Sequence, residues 1–330
     1  MNTAVSKSTM TLWTGQTVPR VGLGCWAIGG PTLNDGPSTS YGATDDAQSR
    51  AALQAGYEMG ARVFDTAAGY GAGHSEVLVG EEIARHADAV IVTKFGFEVD
   101  HANRRNGDVN VTPEGIRSVI GGSRSRLKRD RIDLALLHLN EMDPALAPQV
   151  FDTLETLVAE GWIGAYGWST DFMPQARAGA DYPHFVAIEN DYNVFTPARA
   201  LMDFVSARNL VSISRLPLAM GLLTGKYAPD STLGRDDVRA QDFAWLRFFR
   251  DGKPSAEYLE RLGAIRELLQ TDGRTLAQGA LAWILASSDR ALPVPGFRSV
   301  AQVRDNMGTL EKGPLGAQTM AEIADLLAAE

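Results

Sequence analysis

The sequence predicts an α/β protein, a (β/α)8 TIM barrel with an N-terminal β-hairpin and a long loop after the seventh strand. Three observations predict it. Eight short β-branched runs alternate with longer helical patterns along most of the 330 residues. The runs are apolar almost throughout, as strands covered by helices on both faces must be. The length suits one barrel domain spanning 1–330. An open doubly wound sheet shares the alternation, because strand count alone does not show closure.

In chain order, "MTLWTGQTVPR" (10–20) reads as a small hairpin around Gly15 that plugs the barrel floor. "RVGLGCW" (20–26) is the first strand. Gly22, Gly24 and Ala27 match the G-x-G-x-x-A spacing of a dinucleotide-binding turn. That turn must open a helix, since the pyrophosphate rests on the helix N-terminus. Here Gly29, Gly30, Pro31, Gly36 and Pro37 follow, and no useful helix survives them. A coenzyme therefore has to bind elsewhere.

The remaining strands are "RVFDTA" (62–67), "AVIVTKFG" (89–96), "IDLALLHL" (132–139), "IGAYGWST" (163–170), "FVAIENDYN" (185–193), "LVSISRLPL" (210–218) and "ALPVPG" (291–296). Helical patterns fall at 45–60, 75–87, 112–129, 147–161, 197–209 and 255–270. Thr112, Pro113 and Glu114 supply an N-cap, a first-turn proline and a first-turn acid. The stretch from Gly221 to Pro254 is too long for a simple βα connection and is aromatic, with Phe243, Trp245, Phe248 and Phe249. It forms most of a long loop over 218–254. Long loops at that face of a barrel usually carry function.

Composition narrows the function classes. A net charge of −9 argues against nucleic acid or an anionic membrane surface as the main partner. An anionic coenzyme would need a local cation. Cys25 is the single cysteine, so neither an intrachain disulfide nor a thiolate zinc site is expected. His74, His86, His101, His138 and His184 form no H-x-x-x-H pair, and there is no G-x-S-x-G turn, so no metal centre or hydrolase nucleophile is expected. "MNTAVSKSTMTLW" lacks an apolar signal core, and no stretch of eighteen apolar residues occurs. A soluble cytoplasmic protein is expected.

In a parallel barrel the chemistry sits where strands end. Asp65 closes "RVFD", Lys94 closes "AVIVTK", His138 lies near the end of "IDLALLH", and Tyr70 follows Asp65 in "DTAAGYG". Each alone has a plain structural reading: a cap, a solvent-reaching ammonium, a satisfied core imidazole, a packing ring. Together, three consecutive strands present an ionisable group at one level, and a buried carboxylate and ammonium need one another. Tyr ionises near pH 10, and a neighbouring ammonium lowers that by roughly 1–3 units. Such a group delivers a proton to a carbonyl oxygen and supplies no electrons, so a hydride donor is required.

With these residues in place, the sequence closely resembles the aldo-keto reductases, NAD(P)H-dependent barrel oxidoreductases. The likeness runs from about Val21 to Asn306 through "GLGCW", "FDTAAGYG…SEVLVGEE", "VIVTKFG", "IDLALLH", "GWS", "GLLTGKY" and "PVPGFRSVAQVRDN". The resemblance implies that Tyr70 is the proton donor, that Lys94 and Asp65 tune it, and that His138 orients the carbonyl. It implies a small carbonyl or alcohol as substrate, met by Trp26, Tyr70, His138, Trp245 and Phe248. Apolar walls of that kind suit aromatic aldehydes, cyclic ketones or the apolar face of a sugar.

The coenzyme positions follow by the same likeness. Ser169 matches the serine that bonds the nicotinamide carboxamide, and Thr170 stands where the family usually has Asn. Glu189 stands where a Gln is common; when ionised it accepts from the amide but cannot donate. Neighbouring Asn190 faces the same way only if the strand is irregular. Arg215 replaces an aromatic ring, followed by Pro217 and Leu218. Leu223, Gly225 and Lys226 resemble the phosphate-straddling loop, and Gly296, Arg298, Gln302 and Asn306 the adenosine site. An arginine at 298 favours a 2′-phosphate, so NADPH is preferred and NADH is the alternative. Some family members are nucleotide-binding regulators of channels, and others work mainly as alcohol or sugar dehydrogenases.

Overall fold

The first and last of eight parallel strands meet. In this computed structural model, which describes residues 8–328, the strands are β1 (Leu23–Gly24), β2 (Val63–Asp65), β3 (Val90–Phe95), β4 (Ile132–Leu137), β5 (Ile163–Ser169), β6 (Phe185–Asp191), β7 (Val211–Arg215) and β8 (Ala291–Pro293). They pair in sequence order, and β1 closes on the last strand through a parallel bridge from Gly24 to Gly296. The amides of Gly22 and Gly24 donate to the carbonyls of Pro293 and Pro295. Small residues are needed at this seam: a Cβ on Gly24 would lie 2.5 Å from the carbonyl oxygen of Val294. The open-sheet alternative is thereby removed.

Helices separate the strands: α1 (Asp46–Glu58), α2 (His74–Glu82), α3 (Pro113–Leu127), α4 (Ala147–Ala159), α5 (Met173–Ala178), α6 (Arg199–Ala207), α7 (Ala256–Leu269) and α8 (Leu276–Ser287), then α9 (Val300–Met307), α10 (Thr309–Lys312) and α11 (Ala317–Ala328). The Thr112 hydroxyl accepts from the Gly115 amide, so α3 starts as its cap predicts. After β1 comes only a 3-10 turn, Trp26–Ile28, and the next helix waits for Asp46. The G-x-G-x-x-A match is therefore a strand and a turn. Helix α8 left little signal because ten of its twelve residues are buried, so it shows no polar stripe to give a period. None of the helices among the described residues is long and apolar enough to cross a membrane.

The core has an inner and an outer part. Val63, Val90, Val92, Leu134, Leu136, Ala165, Ala187, Val211, Ile213, Leu292 and Val294 fill the barrel, and Met10, Leu12 and Val18 pack beneath them. Those three come from the hairpin Thr9–Thr11/Thr17–Pro19, which turns through Gly15 at φ +83° and forms the floor. The long loop after β7 carries two 3-10 turns, Ala219–Thr224 and Val238–Ala240, and a tight hairpin, Phe249–Arg250/Lys253–Pro254. A second hairpin, Phe97–Asp100/Arg105–Val109, follows β3. Sequence reading left that segment unassigned.

Candidate active site

Strand alternation decides which side chains reach the mouth. Val92, Leu134, Ala165, Ala187 and Ile213 point into the barrel, so the residues two or four further on, Lys94, His138, Ser169, Glu189 and Arg215, point the same way at its end. Asp65 follows Val63 by the same rule. Six polar groups thus ring the mouth because each closes an apolar strand.

The Lys94 ammonium is the hub. Its Nζ donates to both carboxylate oxygens of Asp65 at 2.7 and 2.8 Å, to the Thr66 carbonyl at 3.0 Å and to the Tyr70 hydroxyl at 3.1 Å. Lys94 is 1% and Asp65 3% exposed, while Tyr70 is half-buried. Burial would push the lysine down, but Asp65, Glu189 and Tyr70 more than offset it, and the ammonium stays charged. Asp65 is raised by burial and pulled back by Lys94.

Tyr70 corrects one expectation. Burial raises its phenol well above the ordinary value, with Asp65 and Glu189 adding to the rise and Lys94 opposing it. The lysine therefore offsets part of the burial effect rather than making the phenol acidic at rest. The hydroxyl thus stays protonated across the neutral range. His138 is held down to about 3 by burial first, then by Lys94 and Arg215, so its ring is neutral with one N–H to donate. Its ring meets Tyr70 edge-on at 5.8 Å and Phe97 at 6.0 Å.

Close backbone packing fixes the Tyr70 loop. Gly71 has φ +59°, and a Cβ there would lie 1.9 Å from the Gly29 carbonyl oxygen. Asn106, from the hairpin after β3, donates to the Gly69 carbonyl at 2.9 Å, and His101 Nδ1 lies 2.8 Å from the Ala72 carbonyl. Gly71→Ala is expected to cost about 1–3 kcal/mol of stability and to displace the tyrosine, lowering turnover. Thermal unfolding beside a rate measurement checks it, and an unchanged rate removes the positioning role.

Aromatic rings form the outer wall. Trp26 stacks on Tyr70 at 5.9 Å, meets Tyr41 at 4.9 Å and lies 6.4 Å from Trp245, which stacks on Phe243 at 5.4 Å. Trp245 is 48% exposed. Phe248 is a correction: it is 1% exposed and packs beneath the loop against Phe195 and Tyr258, away from the mouth. Tyr41 and Phe97 are wall residues that no motif in the sequence marks, whereas Phe243 belongs to the aromatic loop noted above. The alternation in "FEVD" was the available signal for the Phe97 strand.

Among the coenzyme candidates, Ser169 and Glu189 sit side by side in register on β5 and β6, each 1% exposed. Among the described residues the Ser169 hydroxyl has no hydrogen-bond partner, and Glu189 Oε2 has only a long 3.4 Å ion pair with Lys94. Two buried polar atoms left unsatisfied at the mouth fit a bound amide, which both donates and accepts. Thr170 faces away, donating to the Asn140 carbonyl. Asn190 also faces outward, accepting from Ser212 at 2.9 Å, so the strand is regular there and Asn190 does not replace Glu189.

Arg215 pairs with Asp171 and with Asp191 at 3.1 Å, and Arg247 of the long loop joins Asp191 at 2.5 Å. Asp171, Asp191 and Arg247 belong to the mouth although no motif marks them. Pro217, Leu218 and Leu223 are buried, Gly225 turns at φ +74°, and Lys226 is exposed with its ammonium over Tyr227. Arg298 donates to the carbonyls of Tyr41 and Ala43, and its amide to Gln302 at 2.7 Å. Asn306 donates to the carbonyl of Gly296, which is exposed.

Comparison with known proteins identifies the family. The Aldo/keto reductase family model matches residues 20–328. The chain is 30% identical over 326 residues to the NADH-specific methylglyoxal reductase of Escherichia coli, covering 94% of this chain and 96% of that one. It is 27% identical to the aldo-keto reductase yakc [NADP(+)] of Schizosaccharomyces pombe, over 94% and 88% of the two chains. The solved glycerol dehydrogenase of Gluconobacter oxydans superposes with a TM-score of 0.82 at 27% identity, covering 98% and 96%. The match spans every βα unit from the first strand to the last helix, and the chain belongs to the aldo/keto reductase family of carbonyl-reducing oxidoreductases.

Proposed function

We propose that this chain reduces an aldehyde or ketone to the alcohol with NADPH, reversibly, with NADH as the alternative coenzyme. The observation that carries the reading is the Lys94 ammonium, which touches the Tyr70 hydroxyl at 3.1 Å while held by both oxygens of Asp65. In this reading the Tyr70 hydroxyl passes its proton to the carbonyl oxygen. His138 donates its N–H to the same oxygen and fixes the direction of approach. Ser169 and Glu189 hold the carboxamide. The coenzyme, when bound, supplies the hydride. Trp26 and Trp245 exclude water from one side and favour carbonyls with a flat apolar part. Relatives whose names specify NADP(+) and NADH support both coenzymes as options.

Pure protein mixed with NADPH and a panel of aryl, cyclic and sugar carbonyls tests this. Coenzyme oxidation with some member is expected; tight binding without turnover across the panel would instead indicate a nucleotide-binding regulator. Coenzyme choice is tested separately at Arg298. Arg298→Ala is expected to weaken NADPH about 10- to 100-fold more than NADH, the worth of a charge-assisted contact to a phosphate. Equal losses for both coenzymes would leave Arg298 only the task of holding residues 41 and 43.

A further inference from the structure

Glu189 is the carboxylate at the mouth that has no cation to itself. Asp65 takes Lys94 through both its oxygens. Arg215 is shared between Asp171 and Asp191, and Asp191 is also held by Arg247. Glu189 Oε2 is buried and lies 3.4 Å from Lys94 Nζ, longer than the Asp65 contact, and it meets no other donor among the described residues. Of these seven groups, four are acidic (Asp65, Asp171, Glu189 and Asp191) and three basic (Lys94, Arg215 and Arg247), so ionised Glu189 leaves the ring one negative charge in excess.

We propose that Glu189 makes this mouth bind the oxidised, cationic form of the nicotinamide coenzyme more tightly than the neutral reduced form. The inference rests on the reading that the coenzyme amide meets Ser169 and Glu189. An amide side chain at 189 could hold the carboxamide equally well in both forms, because it carries no charge. A carboxylate distinguishes them, since only the oxidised ring is positive. One such charge contact in surroundings of intermediate polarity corresponds to about 10- to 100-fold in affinity. Each tenfold preference lowers the potential of the bound two-electron couple by about 30 mV. Glu189 thus strengthens the bound reductant and slows release of the oxidised coenzyme.

Ionisation of Glu189 gates the effect. Burial, then Asp65, pushes its carboxyl up to about 7, against the pull of Lys94 and Arg215. Tyr70 and His138 complete its surroundings; the first stays protonated and the second neutral near that pH. Above neutrality the carboxylate is present, and on the acid side the group becomes a neutral acid that resembles an amide.

The test is to titrate wild type and Glu189→Gln with NADP+ and, separately, with NADPH at pH 6 and pH 8.5, following binding by calorimetry. At pH 8.5 the variant is expected to lose ~10- to 100-fold in NADP+ affinity, with NADPH changed less than about threefold. At pH 6 wild type should approach the variant. Equal changes for the two forms, or a wild-type ratio that ignores pH, would overturn the inference while leaving the coenzyme site standing. Failure of wild type to bind either form would overturn the site as well.

Discussion

Tyr70→Phe is expected to lower carbonyl reduction by about 10²–10⁴-fold while leaving coenzyme affinity nearly unchanged. The substitution removes one oxygen. The ring still stacks on Trp26, and Lys94 keeps both oxygens of Asp65 and the Thr66 carbonyl. No buried charge loses its partner, so stability should hold as well. What disappears is the proton that the carbonyl oxygen needs as the hydride arrives, a contribution made in the transition state and not in binding. Steady-state rates beside a fluorescence titration with NADPH check it. Full turnover in the variant would mean that the proton comes from another group.

Lys94→Met is expected to be the most damaging single change, because it acts on stability and chemistry together. It leaves Asp65 and Glu189 buried without the ammonium that both approach. Removing one partner of a buried pair costs about 3–5 kcal/mol. The sign of the pH dependence follows from the carboxyls, both raised by burial in the wild type. A group raised in the folded state stabilises below its unfolded value and loses that contribution as pH rises through the folded value. The variant should therefore be weakest above neutrality and recover toward acid, as Asp65 and Glu189 take up protons. Pairing it with Asp65→Asn removes one of the two stranded charges, the one closer to the lost ammonium, and should restore part of the stability without restoring turnover. Denaturant unfolding at two pH values, with rates on all three variants, separates the effects. A double variant as unstable as the single one would show that charge is not the cause.

The candidate catalytic group was legible because each of its strand members sits at the end of an apolar run: Asp65 after "VF", Lys94 after "VIVT", His138 after "LALL". Period-two alternation then forces all three inward, and Tyr70 is carried by the short loop after Asp65. Glu189 and Arg215 came from the family likeness, although each also ends an apolar run. Asp171, Asp191 and Arg247 were not, since their pairing joins the ends of three different elements and no local spacing encodes it. Phe248 was misplaced because an aromatic residue in a long loop reads the same whether it faces the pocket or packs beneath it. Its contacts with Phe195 and Tyr258 beneath the loop settle that only in three dimensions.

The sequence by itself determined the architecture and the chemistry available at its mouth. Both follow from period, polarity and residue type, which are local quantities. Only the tertiary structure decided that the sheet closes at Gly24 and Gly296, that the Tyr70 phenol is raised and not lowered, and that Glu189 has no cation of its own. Those outcomes depend on how deeply each group is buried and on which charges arrive from strands far apart in the chain. Desolvation and Coulomb energy are sums over all neighbours in space, so they exist only once the barrel has formed.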